Sequence, residues 1–279
     1  MKPDNHIFIP EKKIGVLMVN LGTPENTDYI SMWLYLREFL SDRRIIELTR
    51  FLWFPILFLI ILIIRPKKSG TLYKKIWDKK KNKSPLKVFS ESVAEKLQKQ
   101  YDKKKVEIKN AMNYGNPKIK DELKKLMKKG CEKILIFPMY PQYSATTTAS
   151  VIDRVFEFLK KTRWQPTIRI VPPYFDDPFY INALKINMEE HLKKKKIKEK
   201  SIVCSFHGIP KKYFLKGDPY YCHCAKTVRL LNEKMKGKYI FQMSFQSRFG
   251  PQEWLRPYMN EKMDELIKQK KENMVIMAP

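Results

Sequence analysis

Ser201-Ile202-Val203-Cys204-Ser205-Phe206-His207-Gly208-Ile209-Pro210 is the stretch whose reading decides the fold. Ile202, Val203 and Phe206 are strand formers, and Gly208 and Pro210 end the run. The stretch predicts a short buried strand that finishes on a histidine. Open α/β sheets hold their ligands outside the carboxyl ends of the strands. An imidazole there can bind a divalent metal or take a proton near neutral pH. It can equally be a hydrogen-bonded strand end without chemistry of its own.

The same pattern extends on both sides of this strand. Residues 14–20 form an almost continuous apolar run, as expected of a parallel strand buried on both faces. The Leu-Gly-Thr-Pro turn after it is neither G-x-G-x-x-G nor a Walker A, which argues against a phosphate cradle. Helices are predicted over 28–40, 69–78, 86–101, 117–129, 147–160, 178–196 and 254–270, with another after Cys224. Further strands are predicted over 106–112, 133–138, 167–171, 239–244 and 273–277. Strands alternating with helices mean a parallel sheet covered on both faces. The rhythm runs twice and breaks near 161–166. The expected fold is therefore α/β, with two Rossmann-like, doubly wound domains over 12–165 and 166–279 and a cleft between them.

Residues 51–64 are apolar throughout except Pro55, and none is charged. As a helix this run would be about 21 Å long, against a hydrocarbon core of about 30 Å. Arg50 precedes it, and Arg65, Lys67 and Lys68 follow it, which suits a segment lying in a membrane interface or against a large apolar ligand. The alternative is a buried core helix.

The 279 residues carry 56 Lys+Arg against 29 Asp+Glu, a net charge of +27. Most of the excess is lysine on predicted helix faces, and no nucleic-acid-binding motif accompanies it. Solvated helix faces explain it better than nucleic acid, although the field attracts anionic ligands and lipid headgroups. Four cysteines are too few for a disulfide scaffold at this length. Residues 1–13 have no apolar signal-peptide core, so a reducing cytoplasm is the expected compartment.

Several short strings occur in one order: Asn20-Leu21-Gly22-Thr23-Pro24, Arg65-Pro66 with Tyr73, Ser84-Pro85-Leu86, Tyr114-Gly115-Asn116-Pro117, Tyr140-Pro141-Gln142-Tyr143-Ser144, His207-Gly208-Ile209-Pro210, Gly217-Asp218-Pro219-Tyr220 and Gln246-Ser247-Arg248-Phe249-Gly250-Pro251. With these strings the chain resembles the ferrochelatases, in their proteobacterial form, over almost its whole length. The resemblance implies the chelatase fold and the insertion of Fe²⁺, a substrate, into protoporphyrin IX to make haem b. Coproporphyrin or another tetrapyrrole is the alternative substrate, and a truncated, non-catalytic porphyrin binder the alternative role.

The resemblance makes His207 the catalytic base and a metal contact. It implies porphyrin contacts at Leu21, Arg65, Tyr73, Ser84, Tyr143, Ser144 and Trp254. Arg248 is a candidate partner for a carboxylate. The apolar run, with its flank to residue 68, matches an active-site lip resting on the inner membrane, so peripheral membrane association is expected. Two departures accompany the match. The glutamate that relatives place opposite the histidine would lie beyond residue 279, so the chain reads as C-terminally cut short. Asn113 stands where many relatives have arginine. Some relatives hold a [2Fe–2S] cluster on four cysteines. Here Cys131 and Cys204 read as buried thiols, and Cys222-x-Cys224 is a poor cluster spacing, so no cofactor is expected.

Overall fold

A computed structural model describes residues 12–248, 250–269 and 274–279 of the chain. Most of the 1–13 segment, Phe249, Lys270 at the expected end of the last helix and Asn273 of the last expected strand lie outside the described residues. The chain divides into two compact units. One runs to Tyr140 and resumes over Ala145–Pro172, and the other comprises Pro141–Ser144 and Pro173–Pro279.

The first unit contains, in order, β1 (Lys13–Thr23), α1 (Tyr29–Leu40), α2 (Arg50–Ile56), a π-helical turn (Leu57–Ile61), α3 (Leu62–Ile76), α4 (Pro85–Gln98) and β2 (Val106–Gly115). It continues with α5 (Ile119–Lys128), β3 (Cys131–Pro138), a second π-helical turn (Ala145–Ala149), α6 (Ser150–Leu159) and β4 (Thr167–Ile170). Its sheet is parallel, in the order β2-β1-β3-β4. Successive side chains of a strand point to opposite faces, and β1 uses both. Leu17 and Val19 pack with Leu123 and Leu126 of α5 and Val151 and Val155 of α6. Met18 packs with Ala94 of α4 and Ile108. A strand apolar on both faces reads as a continuous apolar run, which is how 14–20 appears in the sequence.

The second unit contains α7 (Pro178–Lys195), β5 (Ser201–His207), α8 (Lys211–Leu215), α9 (Tyr220–Met235), β6 (Ile240–Gln246), α10 (Met259–Lys268) and β7 (Val275–Met277). Its sheet is again parallel, in the order β6-β5-β7. Ile202, Cys204 and Phe206 of β5 share one core with Met188 and Leu192 of α7 and Leu231 of α9. In both sheets a central strand has its successor on one side and a later strand on the other. That reversal of strand order opens a crevice at the carboxyl end of the central strand. Thr23 ends one such strand and His207 ends the other.

Three local expectations are corrected. Residues 50–76 form one uninterrupted helical run, where the sequence predicts an apolar helix and a separate one over 69–78. Pro55 and Pro66 lie inside it, and a π turn sits between them, a common accommodation where the regular ladder is broken. The helix predicted from Trp254 begins only at Met259. Pro257 disfavours helical backbone at the residue before it, and the helix starts from Tyr258, whose N–H donates to the Glu261 carboxylate. The helix predicted after Cys224 begins earlier, at Tyr220.

The Leu-Gly-Thr-Pro and Tyr-Gly-Asn-Pro strings turn out to be neighbours. Gly22 pairs with Tyr114, and Thr23 with Gly115, at the carboxyl ends of β1 and β2. Gly22 adopts φ +108°, and a Cβ on it would stand 1.8 Å from the Tyr114 carbonyl oxygen. Gly22→Ala combines backbone strain with a clash against main chain. It should destabilise the protein by at least about 2 kcal/mol, read as a lower urea midpoint at unchanged slope.

Candidate functional site

His207 closes β5 with its side chain exposed, although the six residues before it are buried. Its Nδ1 lies 2.7 Å from the Gly208 carbonyl oxygen. A carbonyl only accepts, so Nδ1 carries the proton and Nε2 holds the ring's lone pair. The sequence thus places a basic nitrogen, with its tautomer fixed by the backbone, at the mouth of the second unit's crevice.

The floor beside it is built from the next residues of the same strand. The Gly208 amide donates to the Gln246 carbonyl at 2.8 Å. A Cβ at Gly208 would meet that oxygen at 3.1 Å and Cε3 of Trp254 at 3.2 Å, so glycine lets the indole come close. Two further rungs, Leu255 N–H to Ile209 O and Lys211 N–H to Glu253 O, tie 253–255 to the strand extension. Trp254 is only 9% exposed, so it serves as a packed wall more than as a free stacking face. Arg248 is exposed, and its guanidinium lies 4.8 Å over the Tyr258 ring.

Tyr143 and Ser144 belong to the four-residue segment that the second unit takes from the middle of the first. Hydrogen bonds along its length hold it. Tyr174 N–H donates to Pro141 O at 3.0 Å, and Gln142 Nε2 donates to Thr227 Oγ1 at 3.3 Å. Tyr143 N–H donates to Nδ1 of His223 at 3.1 Å, and Ser144 Oγ donates to the Asp218 carboxylate at 2.9 Å. Asp218 also accepts from Tyr220 N–H at 3.0 Å, at the start of α9. The Gly-Asp-Pro-Tyr string is thus the carboxylate that joins the helix start to this segment. His223 was missed as a site residue. It stacks on Phe175 with ring centroids 3.7 Å apart. Its only sequence signal is its place in the first turn of a helix that follows Asp-Pro.

The remaining predicted site residues lie in the first unit. Leu21 and Tyr73 pack against the core formed by Met32, Trp53, Leu57 and Leu62. Burial raises the Tyr73 phenol above its usual value. Arg65 is exposed on α3. Ser84 is buried and caps α4, its Oγ accepting from Lys87 N–H. Asn113 is buried and donates to Ser150 Oγ at 2.8 Å. Ser150 Oγ and Tyr114 OH both donate to Asp42.

The cysteines do not fit an iron–sulfur cluster. Cys131, Cys204 and Cys224 are buried, and Cys222 is exposed. Burial raises all three buried thiols, that of Cys204 to about 12. Residues 222 and 224 both lie on α9, where neighbours two apart do not share a face. Among the described residues no three of His, Cys, Asp and Glu converge as a metal-ligand set.

The ferrochelatase family profile matches residues 13–279. The chain belongs to the ferrochelatase family. It is 52% identical over 270 residues to the ferrochelatase of Francisella tularensis subsp. holarctica strain OSU18, covering 96% of this chain and 80% of that protein. It is 48% identical over 279 residues to the ferrochelatase of Agrobacterium fabrum strain C58, covering 99% of this chain and 81% of that protein. Among solved structures it resembles SirB from Bacillus subtilis with Fe³⁺, at a TM-score of 0.53 and 13% identity, over 95% of this chain and 75% of that one. This last likeness is one of fold, and it agrees with a ferrochelatase built on parallel α/β units.

Burial lowers the His223 pKa from the usual imidazole value, with Asp176 and Asp218 pulling the other way. The folded state therefore prefers the neutral ring, the form that accepts from Tyr143. This contribution is fully present above the unfolded pKa of about 6.5 and is lost as pH falls through the lower folded value. Stability should fall on acidification from pH 7 to 5. His223→Gln should show a shallower decline over that window in urea titrations, and parallel curves would contradict the assignment.

Proposed function

We propose that this chain inserts ferrous iron into protoporphyrin IX, producing haem b, with metal and porphyrin both as substrates. The observation that carries the reading is the exposed His207 at a strand switch point, its Nδ1 anchored to the backbone. The chain around it is about half identical to proteins named ferrochelatase.

Metallation exchanges two pyrrole N–H protons for Fe²⁺. Nε2 of His207 accepts a pyrrole proton, and the Nδ1–H bond to Gly208 O orients the ring and stabilises the imidazolium that forms. The exposed ring then passes the proton to water and is ready for the second. Imidazole also suits Fe²⁺ as a borderline ligand. One nitrogen cannot hold a proton and a metal at once, so the two roles alternate.

The porphyrin is a flat apolar disc with two propionates. We assign its apolar contacts to Leu21, Tyr73, Tyr143 and Trp254, and its carboxylate contacts to Arg65 and Arg248. Ser84 and Ser144 bring hydroxyls already engaged with Lys87 and Asp218.

We further assign peripheral contact with the inner membrane, on its cytoplasmic side, to residues 51–64. One face of this run is buried, with Trp53 and Leu57 at 5% and 0% exposure. The other is open, with Phe51 at 89% and Leu59 at 69%. A core helix would bury both faces, and an apolar face left in water is an aggregation hazard. No described helix is long and apolar enough to cross a membrane, which leaves a segment lying along the surface.

His207→Ala should lower iron insertion, followed by the Soret change, by about a hundredfold or more. Quenching of protein fluorescence by protoporphyrin should persist. A variant with the wild-type rate would refute His207 as the base.

A further inference from the structure

We propose that the groove between α5 and α6 binds the phosphate-bearing headgroups of anionic phospholipids. This rests on the membrane reading given above for residues 51–64 and extends it to a second, electrostatic element.

The groove has a volume of about 790 Å³. Its rim carries Lys118, Lys120, Lys124, Lys128, Lys161 and Arg163. Lys120, Lys124 and Lys128 are four apart, so they form one row along α5. All six cations are exposed. Three of the acids nearby are engaged elsewhere, while Glu157 also lines the groove and leaves its cations in excess. Glu122 is held by Lys125 at 2.6 Å, Glu107 by Lys109 and Lys129, and Glu38 by Arg154 at 2.9 Å. Among the described residues none of the six rim cations has an ion-pair partner. A same-sign cluster of this kind repels itself and concentrates anions at its surface.

The lipid, rather than a soluble anion, is favoured by what the groove adjoins. Lys118, Arg154, Glu38 and Glu157 also line a second cavity of about 900 Å³, and that cavity extends to Phe58 in the exposed apolar run. Phosphate-binding cations and an apolar face thus lie on one continuous surface of one unit. A phospholipid offers both chemistries on one molecule, and basic residues beside an anionic bilayer act additively within a Debye length.

The test is flotation of the full chain with vesicles of phosphatidylcholine alone or with about one-third phosphatidylglycerol. The groove variant is K120E/K124E/K128E. The control is K193E/K194E/K195E, which changes the net charge equally at the exposed end of α7. L59N/I60N probes the apolar run. The wild type should bind the anionic vesicles more tightly, and the groove variant should lose about tenfold or more of that gain. It should keep its binding to neutral vesicles, its thermal midpoint and its iron-insertion rate in detergent. The control should keep the gain. Equal loss in the groove variant and the control, or no loss in the groove variant, overturns the proposal. So does displacement from the anionic vesicles by millimolar pyrophosphate together with α5-dependent pyrophosphate binding, which would mark a site for soluble anions. If L59N/I60N binds neutral vesicles as the wild type does, the apolar-run reading fails, while a groove-dependent gain on anionic vesicles still supports the groove.

Discussion

A parallel strand at the centre of a sheet must be hydrogen-bonded along both edges and covered on both faces. In this chain β1 and β5 carry that constraint, each for its own unit. Once both edges and both faces are occupied, the open direction is the carboxyl end. In the second unit this end gathers His207, the Gly208 turn, the close indole of Trp254 and the positive-φ Ser247. The histidine is left exposed because its strand is otherwise closed. Its fixed tautomer follows from the same geometry, since the carbonyl that holds Nδ1 belongs to the residue that leaves the strand.

The second organising feature is a buried carboxylate. Asp218 receives Ser144 from one direction and the amide of Tyr220 from the other. A buried carboxylate is stable only where donors satisfy it. Here they come from a helix start and from a short segment borrowed from the middle of the other unit's sequence. His223 holds the next residue of that segment through a ring that works only when neutral. Tyr143 and Ser144 are therefore placed by polar groups of the second unit.

The helical run over 50–76 shows a different compromise. Its apolar stretch is too rich in aliphatic side chains for an ordinary amphipathic helix, and the core of the first unit takes only one face of it. The π turn between Pro55 and Pro66 lets the run remain helical despite them. The remaining face stays apolar and open, so the chain keeps an exposed surface that a purely structural helix would not need.

The sequence alone determined the alternation of strands and helices, because buried parallel strands need continuous apolar runs and that signal is local. It also placed His207 at a strand end and marked the apolar run between basic flanks. The ordered strings were enough to name the family. It could not show that Gly22 pairs with Tyr114 and Thr23 with Gly115, since register between strands so far apart in the chain leaves no local trace. It could not show that Trp254 precedes its helix instead of starting it, that Ser84 is a cap, or that His223 secures Tyr143. Each of these depends on which residues meet across the fold, and only the tertiary structure decides that. Hydrogen bonds and close packing are made between side chains and backbone brought together from distant parts of the chain.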